Sequence, residues 1–255
     1  MVPTPTEACR EHRFGELTLT GRLTQASNAT FVATDDTGLT VVYKPVLGER
    51  ELWDFPTGTL ARREVAAHRV SALGGFDVVP WTTMVDGPLG EGSAQLWVET
   101  DELADEGCDI LPADQVPEGW FPILLGEDAD GAAVAVVHAD DPRLRRIAVV
   151  DALINNADRK AGHILPAARH LYGCDHGVSF HTEPKLRTLL WGWAGQPLTS
   201  AEQAAVTAVV NGVDQLADLL SSAEIDALVA RAEHLLADGM PEPGDTGPSV
   251  PWPLW

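Results

Sequence analysis

The pattern that most limits the fold is the alternation of apolar and polar side chains along residues 16–46. The first predicted strand, residues 16–25, has its apolar side chains at Leu17, Leu19 and Leu23. The alternation continues through residues 30–34 and 39–46, and the Asp35-Asp36-Thr37-Gly38 string between them favours a tight turn. The pattern predicts a three-stranded antiparallel meander.

A helix and two more strands are predicted after this meander. Thr59 is expected to cap a helix that runs to about Leu73, where a Gly-Gly pair ends it. Further strands are predicted at residues 82–85 and 94–98. Residues 1–98 are therefore expected to form an N-terminal lobe of an α+β fold.

The second half of the chain is predicted to be mainly helical. Residues 99–141 are acidic and irregular, with one apolar segment at 132–137 that fits either a strand or part of a helix. A helix is predicted from Asp141-Pro142 onward, followed by a polar loop and a short hairpin. Residues 99–240 are expected to form the C-terminal lobe.

Three later segments also have helical signals. Residues 186–193 look helical, and Ser200 is expected to cap a helix through about Leu220. Ser221 with Glu224 resembles a capping box before a helix over residues 225–237. The proline-rich residues 241–255 are predicted to form an extended tail, pinned by Trp252 or Trp255.

Composition limits the partners of the chain. The 255 residues include 17 Lys and Arg against 38 Asp and Glu, giving a formal net charge of -21. This charge opposes non-specific binding to nucleic acid and to anionic lipid. No apolar run is long enough for a membrane span, and Cys9, Cys108 and Cys174 are too scattered for a disulfide framework. A cytoplasmic protein without stable membrane insertion is expected.

Phosphoryl transfer chemistry is indicated by the polar loop over residues 155–163. Asp158, Lys160 and His163 have the spacing of the D-x-K-x-x-N catalytic loop of kinases, with His in place of the metal-binding Asn. Asp175-His176-Gly177 then follows a short hairpin, where a kinase has D-F-G. Lys44 is one of only three lysines in the chain and lies near the end of the third predicted strand.

Together with Glu64, these residues resemble the kinase-like superfamily that includes the phosphatidylinositol 3- and 4-kinases. The strings Val42-Tyr43-Lys44-Pro45, Asn155-Asn156-Ala157-Asp158-Arg159-Lys160 and Cys174-Asp175-His176-Gly177 are most similar to an actinobacterial phosphatidylinositol 3-/4-kinase-like branch of atypical kinases. The resemblance covers most of the chain. It implies a two-lobed protein-kinase-like fold with ATP and Mg²⁺ or Mn²⁺ in the cleft.

The resemblance also implies a role for each matching residue. Lys44 would contact the nucleotide phosphates, and Glu64 would hold Lys44 by an ion pair. Asp158 would act as catalytic base or orient the acceptor hydroxyl, and Lys160 would offset developing charge. Asp175, together with His163, would bind the divalent cation. The backbone of Ser27, Asn28 and Ala29 would cover the phosphates, and the adenine-contacting hinge would comprise Gln95, Leu96, Trp97, Val98 and Glu99.

Simpler explanations compete with several of these roles. Glu64 follows Arg62 and Arg63, so a surface salt bridge would explain it equally well. Asp158 and Asp175 suit ordinary turns, and Ser27-Asn28 suits a hairpin turn.

Two other functions stay open. His163 is a poorer ligand for Mg²⁺ than Asn would be, so a nucleotide-binding pseudokinase acting as a switch or scaffold is the second hypothesis. A structural zinc site is the third, with candidate ligands His163, Cys174, His176 and His181. The main hypothesis is a phosphotransferase acting on an unidentified hydroxyl. We expect a protein or small-molecule acceptor rather than a phosphoinositide, because no basic membrane-facing cluster is evident.

Overall fold

The N-terminal meander is present in the structure, a computed structural model that describes residues 14–24, 26–101, 107–244 and 247–255. Its strands are β1 (Thr18–Arg22), β2 (Phe31–Thr34) and β3 (Thr40–Pro45), paired antiparallel. The side chain of Asp35 accepts hydrogen bonds from the amides of Thr37 and Leu39 and so closes the predicted turn. Cys9 and Gln25 lie outside the described residues.

Two more strands, β4 (Thr82–Gly87) and β5 (Gly90–Leu96), complete a five-stranded sheet of order β1-β2-β3-β5-β4. Residues alternate along β3, so that Val41 and Tyr43 are buried while Val42 and Lys44 face a cavity. Period-2 alternation in the sequence therefore determines on which face the lysine lies.

The first helix, α1 (Leu60–Leu73), packs against this sheet and starts where the sequence predicts. Its capping is different from the prediction, because the Thr59 side chain makes no cap hydrogen bond. The carboxylate of Glu49 instead accepts the first helical amides, those of Leu60 at 3.1 Å and Ala61 at 2.8 Å. An anionic group at this end also interacts favourably with the helix dipole.

The acidic region after residue 99 is not irregular. It contains β6 (Cys108–Pro112), β7 (Trp120–Glu127) and β8 (Ala133–Ala139), which form a three-stranded antiparallel sheet of order β6-β8-β7. The ambiguous apolar segment is the central strand of this sheet. Its buried face explains why its sequence is apolar without a helical period.

The helix α2 (Pro142–Ile154) leads into the polar loop, as predicted. The side chain of Asp141 accepts from the Arg143 amide at 2.7 Å, and Asn155 ends the helix in a left-handed conformation with φ of 56°. The hairpin β9 (Ile164–Ala167) and β10 (His170–Gly173) follows the loop. These elements fix both ends of the candidate catalytic segment.

Two helix predictions in the last third of the chain are corrected. Residues 186–190 are not helical, with Thr188 in an isolated bridge to Arg159 and Leu189 in a bend, and in this segment only Trp191–Trp193 form a short 3-10 turn. The helix α3 (Ser200–Asn211) is capped by Thr199 and ends well before Leu220. The last helix, α4 (Ser222–Asp238), begins with the predicted Ser221-Glu224 capping box.

The proline-rich tail packs on the C-terminal half of the molecule, where Leu254 is its residue in the main core. Trp252 is 82% exposed and Trp255 is 43% exposed, whereas Leu254 is buried in the main core. The Leu254 carbonyl also accepts a hydrogen bond from the Ala161 amide at 3.0 Å. None of the helices built from the described residues combines the length and apolarity needed to cross a bilayer.

Candidate functional site

A cavity of about 800 Å³ lies between the five-stranded sheet and the loops that follow α2 and β10. Its walls include the segment after β1, the cavity face of β3, the loop of residues 49–55, the start of α1 and residues 95–98. Ala157, Asp158, His163, Cys174 and Asp175 line it from the other side. The cavity therefore brings the two halves of the chain together over one space.

Lys44 bridges this cavity. Its Nζ atom forms an ion pair with Oε1 of Glu64 on α1 and lies 2.9 Å from Oδ1 of Asp175. The Glu64 side chain is only 4% exposed, while that of Asp175 is 52% exposed to the cavity. One ammonium group thus joins the sheet, the helix and the segment after β10.

The charges of this triad stabilise each other. Burial alone would lower the pKa of Lys44, but the charges of Asp175 and Glu64 outweigh it and raise that pKa above its usual range. The Lys44 charge in turn holds the pKa of Asp175 well below its usual value. Lysine and aspartate are therefore both ionised near neutral pH, ready to contact anionic and cationic groups respectively.

Glu64 connects α1 directly to the Asp175-His176-Gly177 segment. Its second oxygen, Oε2, accepts a hydrogen bond from the His176 amide at 2.9 Å. The competing surface explanation fails, because Arg62 pairs with Glu91 and the buried Arg63 pairs with Glu224. Glu64 thus positions Lys44 and the backbone beside Asp175 at the same time.

Asp158 is held at the cavity wall by its own loop. Its amide donates to Oδ1 of Asn156 at 3.0 Å, and Lys160 Nζ lies 3.3 Å from its Oδ2. Burial raises the pKa of Asp158, although the Lys160 charge partly offsets this effect. Its raised pKa favours proton acceptance, as a general base requires. Lys160 itself is not part of the cavity wall.

Arg159 holds the polar loop in place, although the sequence analysis did not assign it a role. Its fully buried guanidinium forms two hydrogen bonds with the buried Asp151 of α2, at 2.8 and 3.0 Å. The same group donates to the carbonyls of His163 and Cys174 and contacts His176 Nε2 at 2.7 Å. One planar side chain therefore sets the spacing between helix α2, the polar loop and the end of β10.

His163 and Asp175 face each other in the cavity. His163 Nδ1 lies 2.9 Å from the Asp158 carbonyl, which can only accept, so Nδ1 has the hydrogen and Nε2 has the lone pair. That Nε2 lies 3.4 Å from Oδ2 of Asp175. Burial lowers the pKa of His163 to about 4, which keeps the imidazole neutral. Asp175 also has a left-handed backbone with φ of 59°, a strained conformation for a non-glycine residue.

A zinc site is not supported. Within the described ranges, no group of three or more His, Cys, Asp or Glu side chains is placed to hold a metal ion. His163, Cys174, His176 and His181 therefore do not form the four-ligand site that structural zinc requires. Burial raises the pKa of the Cys174 thiol to about 12, so the thiol is protonated near neutral pH.

The segment Ser27-Asn28-Ala29 lines the cavity, but part of it is already engaged. The Ala29 amide donates to the Gly48 carbonyl at 3.0 Å, and the Asn28 side chain accepts from the Arg50 amide at 2.9 Å. In this structure the Ala29 amide is therefore already occupied, while a phosphate-covering role for Ser27-Asn28-Ala29 stays a prediction. The contacts instead fix the segment against the loop after β3.

The expected hinge follows β5 along the cavity. Leu96 and Trp97 donate their amides to Trp81 and Thr40 at 2.8 and 3.0 Å, so these amides belong to the sheet. The buried Gln95 side chain donates to Thr82 at 3.0 Å. Val98 also lines the cavity, whereas Glu99 does not, so Glu99 is not placed as predicted.

Comparison with known proteins adds one close relative in sequence. Protein Rv2133c of Mycobacterium tuberculosis is 47% identical over 259 residues, covering 94% of this chain and 93% of its own length. No protein-family model matches the chain.

Comparison with solved structures identifies the fold. The Golgi casein kinase aligns with a TM-score of 0.51 and 13% identity, covering 92% of this chain and 75% of the kinase. A second structure of that kinase, with Mn/ADP bound, aligns with the same score and identity and 74% coverage of the kinase. The two-lobed kinase-like fold expected from the sequence is therefore confirmed. A five-stranded antiparallel sheet and helix α1 precede a second part that contains the helices α2, α3 and α4 together with the sheet β6-β8-β7 and the hairpin β9-β10.

Proposed function

Because the chain belongs to the same family as Protein Rv2133c and has a kinase-like fold, we propose that it is an ATP- and divalent-metal-dependent phosphotransferase. It would transfer a phosphoryl group to a hydroxyl acceptor in the cavity. The observation that carries this proposal is the double contact of Lys44 Nζ with Glu64 and Asp175. In this proposal the Lys44 ammonium would hold phosphate oxygens between helix α1 and the Asp175 carboxylate, which would bind the metal.

The residues present fit a nucleotide. The cavity wall includes the Lys44 cation and apolar side chains such as Val42 and Leu96 along the sheet, which suit phosphates and a base respectively. In this assignment Lys44 and Ser27-Asn28 lie at the phosphate end, while Gln95 to Val98 lie at the base end. The related fold of the Golgi casein kinase has been seen with Mn/ADP bound.

The donor set also fits a divalent cation. Asp175 provides carboxylate oxygens, and His163 presents a neutral Nε2 lone pair toward them. Two protein ligands are sufficient when phosphates and water complete the coordination. An imidazole nitrogen suits Mn²⁺ better than Mg²⁺, so we assign a preference for manganese. When bound, the ion would neutralise charge on the phosphates.

Asp158 and Lys160 would serve the acceptor. The Asp158 carboxylate would accept a hydrogen bond from the acceptor hydroxyl and then its proton. Lys160, 3.3 Å from that carboxylate, would keep it oriented and offset the charge that develops nearby. The buried Arg159 would hold both residues in place without touching a ligand.

The remaining assignments belong to the same proposal. We divide the chain into an N-terminal lobe at 1–98, a C-terminal lobe at 99–240 and a tail at 241–255. We retain the similarity to the actinobacterial phosphatidylinositol 3-/4-kinase-like branch, a cytoplasmic location and a protein or small-molecule acceptor.

A nucleotide-binding pseudokinase is the second candidate, and His163 is the observation that favours it. A neutral imidazole in place of an oxygen ligand weakens binding of Mg²⁺, which phosphoryl transfer commonly requires. The same Lys44 and Asp175 would then hold nucleotide without turnover.

The test combines binding with turnover. ATP binding is measured by calorimetry with Mg²⁺ or Mn²⁺, and phosphate release and autophosphorylation are followed in parallel for the wild type, Asp158→Asn and Asp175→Ala. We expect Asp158→Asn to bind ATP like the wild type but to lose turnover by about 100-fold or more. Asp175→Ala should lose the metal dependence of binding.

Asp54→Asn is the matched control, since Asp54 also lines the cavity but pairs with Lys185. Metal-dependent ATP binding with no turnover that depends on Asp158 would favour the pseudokinase. Absence of ATP binding under every metal condition would refute both candidates.

A further inference from the structure

The charges on the cavity wall are unevenly paired. The carboxylates that line the cavity are Glu49, Asp54, Glu64, Asp158 and Asp175. Glu49 accepts helix amides, Asp54 pairs with Lys185, and the other three pair with lysines of the candidate site. Every carboxylate on this wall therefore has a partner.

Two cations on the same wall have no such partner among the described residues. Arg50 and Arg187 line the cavity, and in the described part of the chain neither side chain has an ion pair or hydrogen bond. This is unusual here, because acidic residues outnumber basic ones 38 to 17. Most of the arginines that the structure describes contact a carboxylate or a carbonyl. An unpaired guanidinium that faces a cavity is available to an anionic ligand.

Arg187 lies beside the candidate catalytic residue. Its amide donates to the Asn156 carbonyl at 2.9 Å, and its carbonyl accepts from the Arg159 amide at 3.0 Å. These two hydrogen bonds enclose the stretch that contains Asp158, and both Asp158 and Arg187 line the cavity. The Arg187 side chain therefore starts from backbone that is paired on both sides of Asp158, the residue that would receive the acceptor hydroxyl.

Arg50 approaches from the other lobe. It lies in the loop of residues 49–55, which contacts the segment before Arg187 through Lys185. Lys185 Nζ is 3.0 Å from Asp54 and 5.0 Å from the ring centre of Trp53. The loop that contains Arg50 and the segment that contains Arg187 are thus joined at the mouth of the cavity.

We propose that Arg187, assisted by Arg50, binds an anionic group on the acceptor. The substrate class is a small hydroxyl compound that has a phosphate monoester or carboxylate besides the hydroxyl. Arg187 presents parallel N–H donors that match either group. The anion would anchor the acceptor so that its hydroxyl reaches Asp158. This inference depends on the proposed function, since it names the acceptor of that same site.

The nucleotide's terminal phosphate is the other possible anion. Binding of the acceptor's anion is distinguished from binding of the nucleotide phosphate when the nucleotide site is already filled. The protein is saturated with a non-hydrolysable ATP analogue and Mn²⁺, and the probes glycerol 3-phosphate, glycolate and uncharged glycerol are then titrated by calorimetry. The variants are Arg187→Gln, Arg187→Lys and the control Arg169→Gln, an exposed arginine in the β9–β10 turn outside the cavity.

We expect an anionic probe to bind more tightly than glycerol and Arg187→Gln to weaken it by about tenfold or more. Arg187→Lys should retain part of the affinity, and Arg169→Gln should behave like the wild type. Affinity for the ATP analogue should be the same in all variants. Thermal unfolding curves check that each variant is folded.

Three results would overturn the inference: no preference for anionic probes, equal binding by Arg187→Gln and Arg169→Gln, or a loss that falls on the ATP analogue. Failure of the proposed function is recognised separately, because the wild type would then not bind the analogue. The same probes titrated without nucleotide still compare Arg187→Gln with Arg169→Gln in that case.

Discussion

Lys44 Nζ lies 2.9 Å from Oδ1 of Asp175, although 131 positions separate the two residues in the chain. The contact links β3 to the segment after β10. Glu64 on α1 links the same two parts, because it contacts both Lys44 and the His176 amide. The lysine therefore contributes both to the geometry of the cavity and to its charge. Changes at this position should affect ligand binding before they affect the rest of the fold.

Lys44→Met should lower the affinity for an ATP analogue by about tenfold or more, because a charge-assisted contact to phosphate is lost. Calorimetric titration of folded protein measures this change. Arg62→Met is the control, since Arg62 lies on α1 but pairs only with the exposed Glu91 at 3.5 Å. Equal affinities for the two variants would contradict the assigned role of Lys44.

Arg159→Met should destabilise the protein by about 3–5 kcal/mol, because it leaves the buried Asp151 carboxylate without its partner. The free energy of unfolding in urea measures the loss. The double variant Asp151→Leu/Arg159→Met should be less destabilised than the sum of its single variants, since it removes both charges together. Additive effects would mean that the two side chains do not act as a pair.

Stability should fall as the pH drops below about 6.5, the usual pKa of histidine, and His138 should contribute to this fall. Its Nδ1 donates to the Ala139 carbonyl and its Nε2 accepts from the Gly192 amide at 2.9 Å, so only the neutral ring fits. Burial lowers the pKa of His138, so the unfolded chain binds more protons than the folded one in this range. The contribution is complete above pH 6.5 and is lost as the pH falls toward the folded pKa.

Urea unfolding of His138→Asn at pH 7 and pH 5 tests whether His138 lowers stability as the pH falls. The variant should lose less stability than the wild type between the two pH values, while the exposed His234→Asn should behave like the wild type. A steeper loss in His138→Asn would contradict the proposed titration.

Leu254→Ala should lower the free energy of unfolding by about 2–4 kcal/mol, because Leu254 is buried in the main core. Trp252→Ala should change it by less than about 0.5 kcal/mol, since Trp252 is 82% exposed. Thermal or urea unfolding measures both. The opposite ranking would restore the tryptophan as the residue that anchors the tail.

The parts that the sequence predicts well have strong local signals. The meander has period-2 alternation and an Asp-rich turn, and the last helix has the complete Ser221-Glu224 capping box. The candidate catalytic segment is located by kinase motif spacing and resemblance rather than by a secondary-structure pattern, and the structure brings Lys44, Glu64, Asp158 and Asp175 to one cavity. Their catalytic and binding roles stay predictions.

The elements that the sequence does not predict correctly have physical explanations. The strand β7 contains Pro122 and alternates poorly, so only its pairing with β8 identifies it. Residues 186–190 have apolar spacing typical of a helix, yet Arg187 and Leu189 pair with the polar loop instead. Tertiary hydrogen bonds outweigh local propensity in both cases.

The importance of Arg159 could not be read from its neighbours. In sequence it is one more charge in a polar loop, where a solvated arginine is the ordinary expectation. Its partner Asp151 lies on α2 within an apolar stretch, and that buried acid is the available signal. An acid on the apolar face of a helix calls for a buried cation nearby.

The burial of the Arg159–Asp151 pair makes the polar loop respond differently to ionic strength than the bridge between Lys44 and Asp175 does. Mobile ions screen exposed charges over about 8 Å at physiological salt but have little effect on a pair from which water is excluded. The Asp175 carboxylate is half exposed, whereas Arg159 and Asp151 are enclosed. Concentrated salt should therefore loosen the bridge from Lys44 to Asp175 while the polar loop keeps its shape.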